Sequence, residues 1–430
     1  LSTEIKKFDR LLAINYTTIK AEIFYEDSMA RQYSTYDSII DFSRASTATH
    51  RDVDGIVRLA NIDEPRIDYD ESGNRLGLIL EPSRTNLLPY SNSFSSWSSI
   101  RAVVEDGNEI SPANESSAST LYANADTPYS YVIQNNITTD TTLDHCFSIF
   151  YKGGQSDKVR LAMFTPTLDG FEQNFGLSNS YSNTYSLFGT ASLIDSGVEP
   201  YRDGWYRCWV SFTPSTTDSG SISTIYFQVL DNDFNQDARG LDPEVPAAYA
   251  WGAQLELGRR PSSVIYTEGA AVTRAIDYAD IPVDAFRYSS NSGTIVLTAR
   301  CSDYQQFNTR LVNLGATSSE GLDLWVRNTD TVAVYRDDVN EILAQSVAVS
   351  RDDYHNIAFS YNTDSNVGGL AVNGVTHSYS NVISDVSSVS TIQLNREATN
   401  NGTAGIVHIK DLSYYPRALS LDYIGDLTRV

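Results

Sequence analysis

The chain is predicted to be all-β, built from tandem antiparallel β-sandwiches behind a small N-terminal segment. Three observations predict it. Short apolar runs alternate with polar residues and are separated by Ser, Asn, Asp and Gly loops, the mark of half-buried strands. Two-residue turn signals, Asp54-Gly55 and Asn373-Gly374, sit between such runs. Tyr is frequent at 27, beside 16 Phe and 5 Trp, and rings suit a pleated, half-covered surface.

The 430 residues are enough for several domains, and 41% hydrophobic residues can fill their cores. The net charge of −23 repels phosphate backbones and argues against a nucleic-acid partner. No apolar run is long enough to span a bilayer, so no membrane insertion is expected. Cys146, Cys208 and Cys301 are too few and too odd in number for a disulfide framework. They read as small buried hydrophobes, a Cys146–Cys208 bridge being the alternative.

Residues 1–41 differ in pattern from the rest of the chain. Ile5, Phe8, Leu11 and Leu12 recur every three or four residues, which predicts a short helix capped by Ser2 or Thr3. Ile19, Ala21 and Ile23 then alternate like a strand. Such a segment docks either on another subunit or on its own chain. Residues 42–92 read as β-hairpins, one turning at Asp54-Gly55 and one at Ser72-Gly73-Asn74 ahead of Leu76, Leu78 and Leu80. Arg44, Arg66 and Arg84 are read as structural ion pairs with Asp and Glu rather than ligand contacts.

Residues 93–277 read as a jelly roll, with strands at 119–122, 129–134, 147–152, 159–164, 205–212, 225–229 and 249–257. In the last of these Trp251, Ala253, Leu255 and Leu257 are expected on one face and Gly252, Gln254, Glu256 and Gly258 on the other. Gly258 and Pro261 end it. Residues 278–430 read as a second sandwich, with strands at 294–298, 311–314, 322–326, 331–335, 355–361, 369–372, 391–394 and 405–412. Ser420 caps a closing helix seated by Leu421, Ile424 and Leu427.

Several stretches resemble bacteriophage tail-fibre and head-fibre proteins. In residues 42–92 these are FSRAS, the DVDG turn, NIDEPR, LGLILE and RTNLL, in that order. WGAQLE with the GAAVTRA tail, FSIFYKGG and the DGWYR strand start resemble carbohydrate-binding-module-like jelly rolls of such proteins. SGTIVLTA, YHNIAFSY, GGLAVNGV and the closing YPRALS turn resemble a laminin-G-like or concanavalin-A-like sandwich. The resemblance implies a structural subunit of a virion appendage, a homotrimer. Its first 41 residues would bind other virion proteins, and its lectin-like domains would face a host-surface glycan. Capsid decoration without a receptor role, and a polysaccharide-cleaving tailspike, are the alternatives. No signal-peptide pattern opens the chain, whose Leu1 reads as a processed or trimmed end; a virion protein assembles inside the host and needs no signal.

Two candidate sites stand out. Trp205, Tyr206 and Trp209 place rings on both faces of one strand, one face for the core and one for stacking on a glycan. Asp231, Asp233, Asn235 and Asp237 alternate in one loop, as oxygen ligands of a Ca²⁺ ion would. Gln236 stands where an EF-hand loop needs Gly, and the competing reading is a solvated acidic loop. No further cofactor is expected. His50, His145, His355, His377 and His408 have no ligand-spaced partner, and no nucleophile elbow or phosphate loop is present. An enzyme is therefore not expected.

Overall fold

The computed structural model describes residues 12–15, 20–24, 31–34 and 39–429, except 124–129, 178–180, 217–219, 237–239, 304–308, 318–319, 337–340, 351, 381–388 and 396–404. Every strand pair in it is antiparallel, and the sheets stack in two sandwiches, as the fold reading requires.

The first sandwich stacks two six-stranded sheets. One runs Ser98–Ile100, Tyr131–Thr139, Gly220–Val229, Lys158–Phe164, Gly170–Gly176 and Tyr181–Phe188. The other runs Ala102–Ile110, Ser116–Ala123, Ala248–Leu257, His145–Gly153, Trp205–Thr213 and Ser192–Pro200. Between them lies a continuous core that includes Phe147, Ile149, Leu161, Phe171, Phe212 and Phe227. Strands anticipated from sequence all appear. Two of those without a signal, Ala102–Ile110 (AVVEDGNEI) and Ser192–Pro200 (SLIDSGVEP), are polar edge strands whose inner faces are only half buried.

The second sandwich stacks a seven-stranded sheet on a ten-stranded one around a separate core. Its last strand, Ile406–Tyr415, lies between Ser292–Asp303 and two N-terminal pieces, Leu12–Asn15 and Arg75–Leu80. N-terminal residues thus complete the C-terminal sheet. Leu12 opens a strand, and the rest of the helix predicted around Ile5, Phe8 and Leu11 lies outside the described residues. The closing helix Leu421–Thr428 forms as predicted, with the Ser420 hydroxyl accepting from the Tyr423 N–H at 3.4 Å and Ile424 fully buried.

Cys146 and Cys208 are buried thiols, as expected of small hydrophobes, and the alternative bridge fails: Cys208 pairs across the ladder with Ile149, while Cys146 faces Ser211, so the register forbids it. One expectation needs correction. In Ala248–Leu257, Trp251 does not share a face with Ala253 and Leu255. The ladder to His145–Gly153 slips by one residue at Gly252, which adopts φ +63°. A side chain there would meet the Phe150 ring at 2.9 Å. This bulge sends Ala253 and Leu255 into the core and turns Trp251 to the outer surface. Leu257 is exposed, whereas Gln254 and Glu256 are completely buried.

Candidate functional site

The outer face of the sheet carrying Trp205–Thr213 is covered by the chain itself. The hairpin of Ala48–Arg51 and Val57–Ala60 and the crossing at residues 258–277 lie over it. At one end they seal an apolar cluster of Val57, Ala118, Phe150, Trp205, Trp251 and Val264.

Beside that cluster the crossing is fastened by buried ions. Arg66 reaches Asp277 at 2.6 Å and Glu81 at 2.7 Å; Arg44 meets the other Asp277 oxygen at 3.1 Å. Arg274 stands 3.6 Å from Glu81, and Arg84 3.9 Å from Glu256. The Ser263 N–H and hydroxyl both donate to Glu81. Burial alone would raise the Glu81 carboxyl, but the charges of Arg274 and Arg66 and the Ser263 donors hold it far below the carboxylate range. Arg66 is likewise held protonated: burial works against its charge, and Asp277 and Glu81 outweigh burial. Arg44, Arg66 and Arg84 are thus paired with carboxylates, and their partners at 256 and 277 come from the far side of the jelly roll in sequence. A charge knot ties residues 44–84 to residues 256–277.

At the other end the cover stops short, and a cleft of about 650 Å³ opens between the two sandwiches. The first sandwich supplies Asp195, Gly197, Glu199 and Trp209; the crossing supplies Arg260 and Ser262. The hairpin region supplies His50, Arg51, Asp68, Asp70 and Glu71, and the second sandwich Arg300, Asp352 and His408. Arg207 and Glu81 reach it from below. Sequence reasoning missed all of these except Trp209, because no local motif joins residues 50, 209, 260 and 408.

The cleft's charges are mutually engaged. The Arg51 Nε donates to the Tyr69 carbonyl at 2.6 Å and its Nη1 to the Pro200 carbonyl at 3.1 Å. Arg207 is spent on the Ser148 hydroxyl and the Ser262 carbonyl. Arg260 bridges the two sandwiches, 3.1 Å from Asp195 and 2.9 Å from Asp352. Arg300 donates to the His408 Nδ1 at 3.3 Å, so the His408 Nε2–H is the donor to Asp68 at 3.1 Å. Burial and the Arg300 charge lower the His408 pKa despite Asp68, and burial lowers that of His50, so both rings are neutral at pH 7. Burial works to raise Asp68, but the hydrogen bond from the neutral His408 ring and the charge and backbone N–H of Arg51 outweigh it and lower its pKa.

The three predicted ring residues separate. Trp205 is 1% exposed, and its indole donates to the Ile110 carbonyl at 3.0 Å; it has no face left for a sugar. Tyr206 points the other way and packs on the inner core. Trp209 lines the cleft floor with the Arg260 guanidinium 4.4 Å from its ring centre. Trp97, Trp205, Trp251 and Trp325 each donate their indole N–H to a protein acceptor. The Trp209 N–H, equally buried, has no partner. Its edge lies over Gly197, where any Cβ would come within 2.8 Å of the indole nitrogen.

The loop of Asp231, Asp233 and Asn235 is a closed turn. One Asp231 oxygen accepts the N–H groups of Asp233 and Asn235, at 2.9 and 2.7 Å, and the other accepts the Asn235 amide. Asp237 lies outside the described residues. Among the described residues no group of three or more His, Cys, Asp or Glu side chains is arranged to hold a metal ion. Asp52 and Asp70 close their hairpin turns by the same pattern of backbone capping.

No protein-family model and no curated protein matches the chain. Among solved structures, part of it is similar to the CBM40 of the Ruminococcus gnavus IT-sialidase bound to α2,3 sialyllactose, with 18% identity, a TM-score of 0.28, and 33% of this chain and 84% of that one covered. Domain 4 of AbnA, a GH43 extracellular arabinanase from Geobacillus stearothermophilus, in complex with arabinotriose, gives 16% identity and a TM-score of 0.31 over 40% of this chain and 84% of that one. The Botulinum neurotoxin serotype D binding domain gives 14% and 0.27 over 35% and 39%.

Proposed function

We propose that this chain is a glycan-binding subunit of a bacteriophage virion appendage, a tail or head fibre, which presents its two sandwiches to the host surface. The observation that carries the binding half is Trp209. It is a buried indole with an unpartnered donor, in the floor of a cleft walled by both sandwiches. An unmet buried donor costs about 1–3 kcal/mol, which a bound oxygen acceptor would return. A flat ring edged by polar groups matches a sugar, whose C–H face stacks and whose hydroxyls both donate and accept. Contact through one such cleft is weak, and repeated copies on a particle, a homotrimer or more, multiply it.

The virion half is supported by the ordered run from FSRAS to RTNLL. Attachment to other virion proteins is assigned to residues 1–41, whose described strands extend the ten-stranded sheet. Binding rather than cleavage is proposed; in its support, Asp68, Asp70 and Glu81 of the cleft have lowered pKa values, the opposite of the shift a general acid needs.

The test is a pair of measurements: labelled full-length protein bound to a panel of bacterial cells, and antibody labelling of phage particles. Saturable binding to some hosts, lost with Trp209→Ala, together with label on a projecting fibre, is expected. Release of oligosaccharides from capsule, or a protein absent from particles, overturns the proposal.

A further inference from the structure

We infer that the cleft takes an uncharged stretch of oligosaccharide, and that this ligand displaces Arg260 from the face of Trp209. The inference rests on the glycan-binding reading above and narrows it to a substrate class.

Charge decides the class. Seven carboxylates and four arginines line the cleft, with no lysine, and the two histidines are neutral. Three of the arginines are also occupied: Arg51 and Arg207 by carbonyl and hydroxyl oxygens, and Arg260 by two carboxylates; Arg300 gives its Nε–H to the neutral His408. An acidic sugar would bring one more negative charge to a wall whose carboxylates outnumber its cations, and like charges brought together select against a ligand. Sugar hydroxyls suit the same wall, because each is an O–H donor and carboxylates are pure acceptors.

Geometry supplies the second part. The Trp209 ring carries the Arg260 guanidinium 4.4 Å from its centre. Arg260, itself 18% exposed, is held there by Asp195 and Asp352, whose side chains are 48% and 45% exposed; carboxylates standing half in water hold a cation less firmly than the buried ones at Arg66. Arg260 is therefore the removable cover on a fixed platform. Gly197 lets the indole lie down over its neighbouring strand, since a side chain there would collide with the ring. A sugar entering the cleft would trade one stacked group for another and give the indole N–H its missing acceptor.

The experiment is a glycan array carrying lactose, cellotetraose, mannotetraose and arabinotriose beside 3′-sialyllactose and tetragalacturonate. It is probed with wild type, Trp209→Ala, Trp209→Phe and Arg260→Ala, each checked for a single cooperative melting transition above the assay temperature. The best binder is then titrated at 50 and 500 mM NaCl. A neutral glycan is expected to bind best, with less than a twofold change in affinity across that salt range. Trp209→Ala should weaken it at least tenfold; Trp209→Phe, which keeps a ring without the N–H and guards against misfolding, should weaken it about threefold. Arg260→Ala should tighten it.

An acidic glycan bound more strongly than its neutral counterparts and lost with Trp209→Ala overturns the charge inference and leaves the glycan-binding reading standing. A tenfold loss with Arg260→Ala makes Arg260 a contact and overturns the displacement. Glycan binding indifferent to both Trp209 variants puts the site elsewhere and overturns the inference whole. Silence across the panel and across host cells removes the glycan reading itself.

Discussion

Trp205 and Trp209 stand on one strand and one face, four residues apart, and have opposite fates. Trp205 is sealed under Val57 and Val264 beside Trp251, and its N–H is paired. Trp209 is just as buried, yet it lies where the cover gives way to a cleft and keeps an unpaired N–H. Burial alone does not separate a core tryptophan from a binding one. Among the five tryptophans the hydrogen-bond account of the indole does, since four donate to a protein acceptor and Trp209 does not.

The comparison is broken most severely at the covering segment. Arg66→Ala strips Glu81 and Asp277 of their shared partner inside the protein. It should cost about 3–5 kcal/mol, read as a lower denaturant midpoint. Trp205→Ala should cost a similar ~3–5 kcal/mol, because the sealed cluster cannot collapse around the hole. Trp209→Ala should cost clearly less in the same titration, its ring being backed by a movable arginine and a cleft. Equal losses at 205 and 209 would show that both rings are simply core.

A milder test uses acid. His145 is fully buried on Phe212, donating from Nδ1 to the Leu143 carbonyl and accepting from the Thr139 hydroxyl. Burial pulls its pKa down to about 4 from an ordinary 6.5. The unfolded chain therefore binds a proton that the folded one refuses between those values. Stability contributed by the neutral ring is whole above pH 6.5 and is lost as the pH falls toward 4, by roughly 3 kcal/mol in all. Glu81, depressed by its arginines, adds a loss of the same sign at lower pH. In His145→Gln, which offers one donor and one acceptor but does not titrate, the fall in melting temperature between pH 7 and pH 4.5 should be visibly smaller. An unchanged acid limb would assign it to carboxylates alone.

Legibility followed the range of the interactions. Alternation marked the central strands, and Asn373-Gly374 placed the turn between Val367–Val372 and Val375–Ser380, because those signals lie within a few residues. The face of Trp251 was misjudged because one bulge at Gly252 inverts the alternation, and a glycine in a strand does not announce that it is a bulge. The cleft was illegible: its walls come from residues about 50, 200, 260, 300 and 408, which only the crossing of the chain between sandwiches assembles. The arginine pairing was readable in kind, since a buried guanidinium needs an anion, but not in partner. Asp277 is separated from Arg44 by the whole jelly roll.

The smallest expected effect is at the acidic loop, and it sharpens the same lesson about accounting for polar groups. Asp231 resembles a cation ligand in sequence, yet its two oxygens already accept from Asp233, Asn235 and the Asn235 amide. Asp52 does the same with Gly55 in the left-handed position, and Asp70 with Gly73; here Phe234 holds that conformation at φ +64°, its ring beneath the Lys158 ammonium at 5.2 Å. A carboxylate engaged in this way has little to offer calcium. Adding 5 mM CaCl₂ or EDTA should therefore leave the melting temperature within 1 °C, whereas Asp231→Ala should cost about 1 kcal/mol through the opened turn. A calcium-dependent rise that disappears in Asp231→Ala would show that the turn unlocks to bind the ion, and that a filled hydrogen-bond account does not by itself exclude a site.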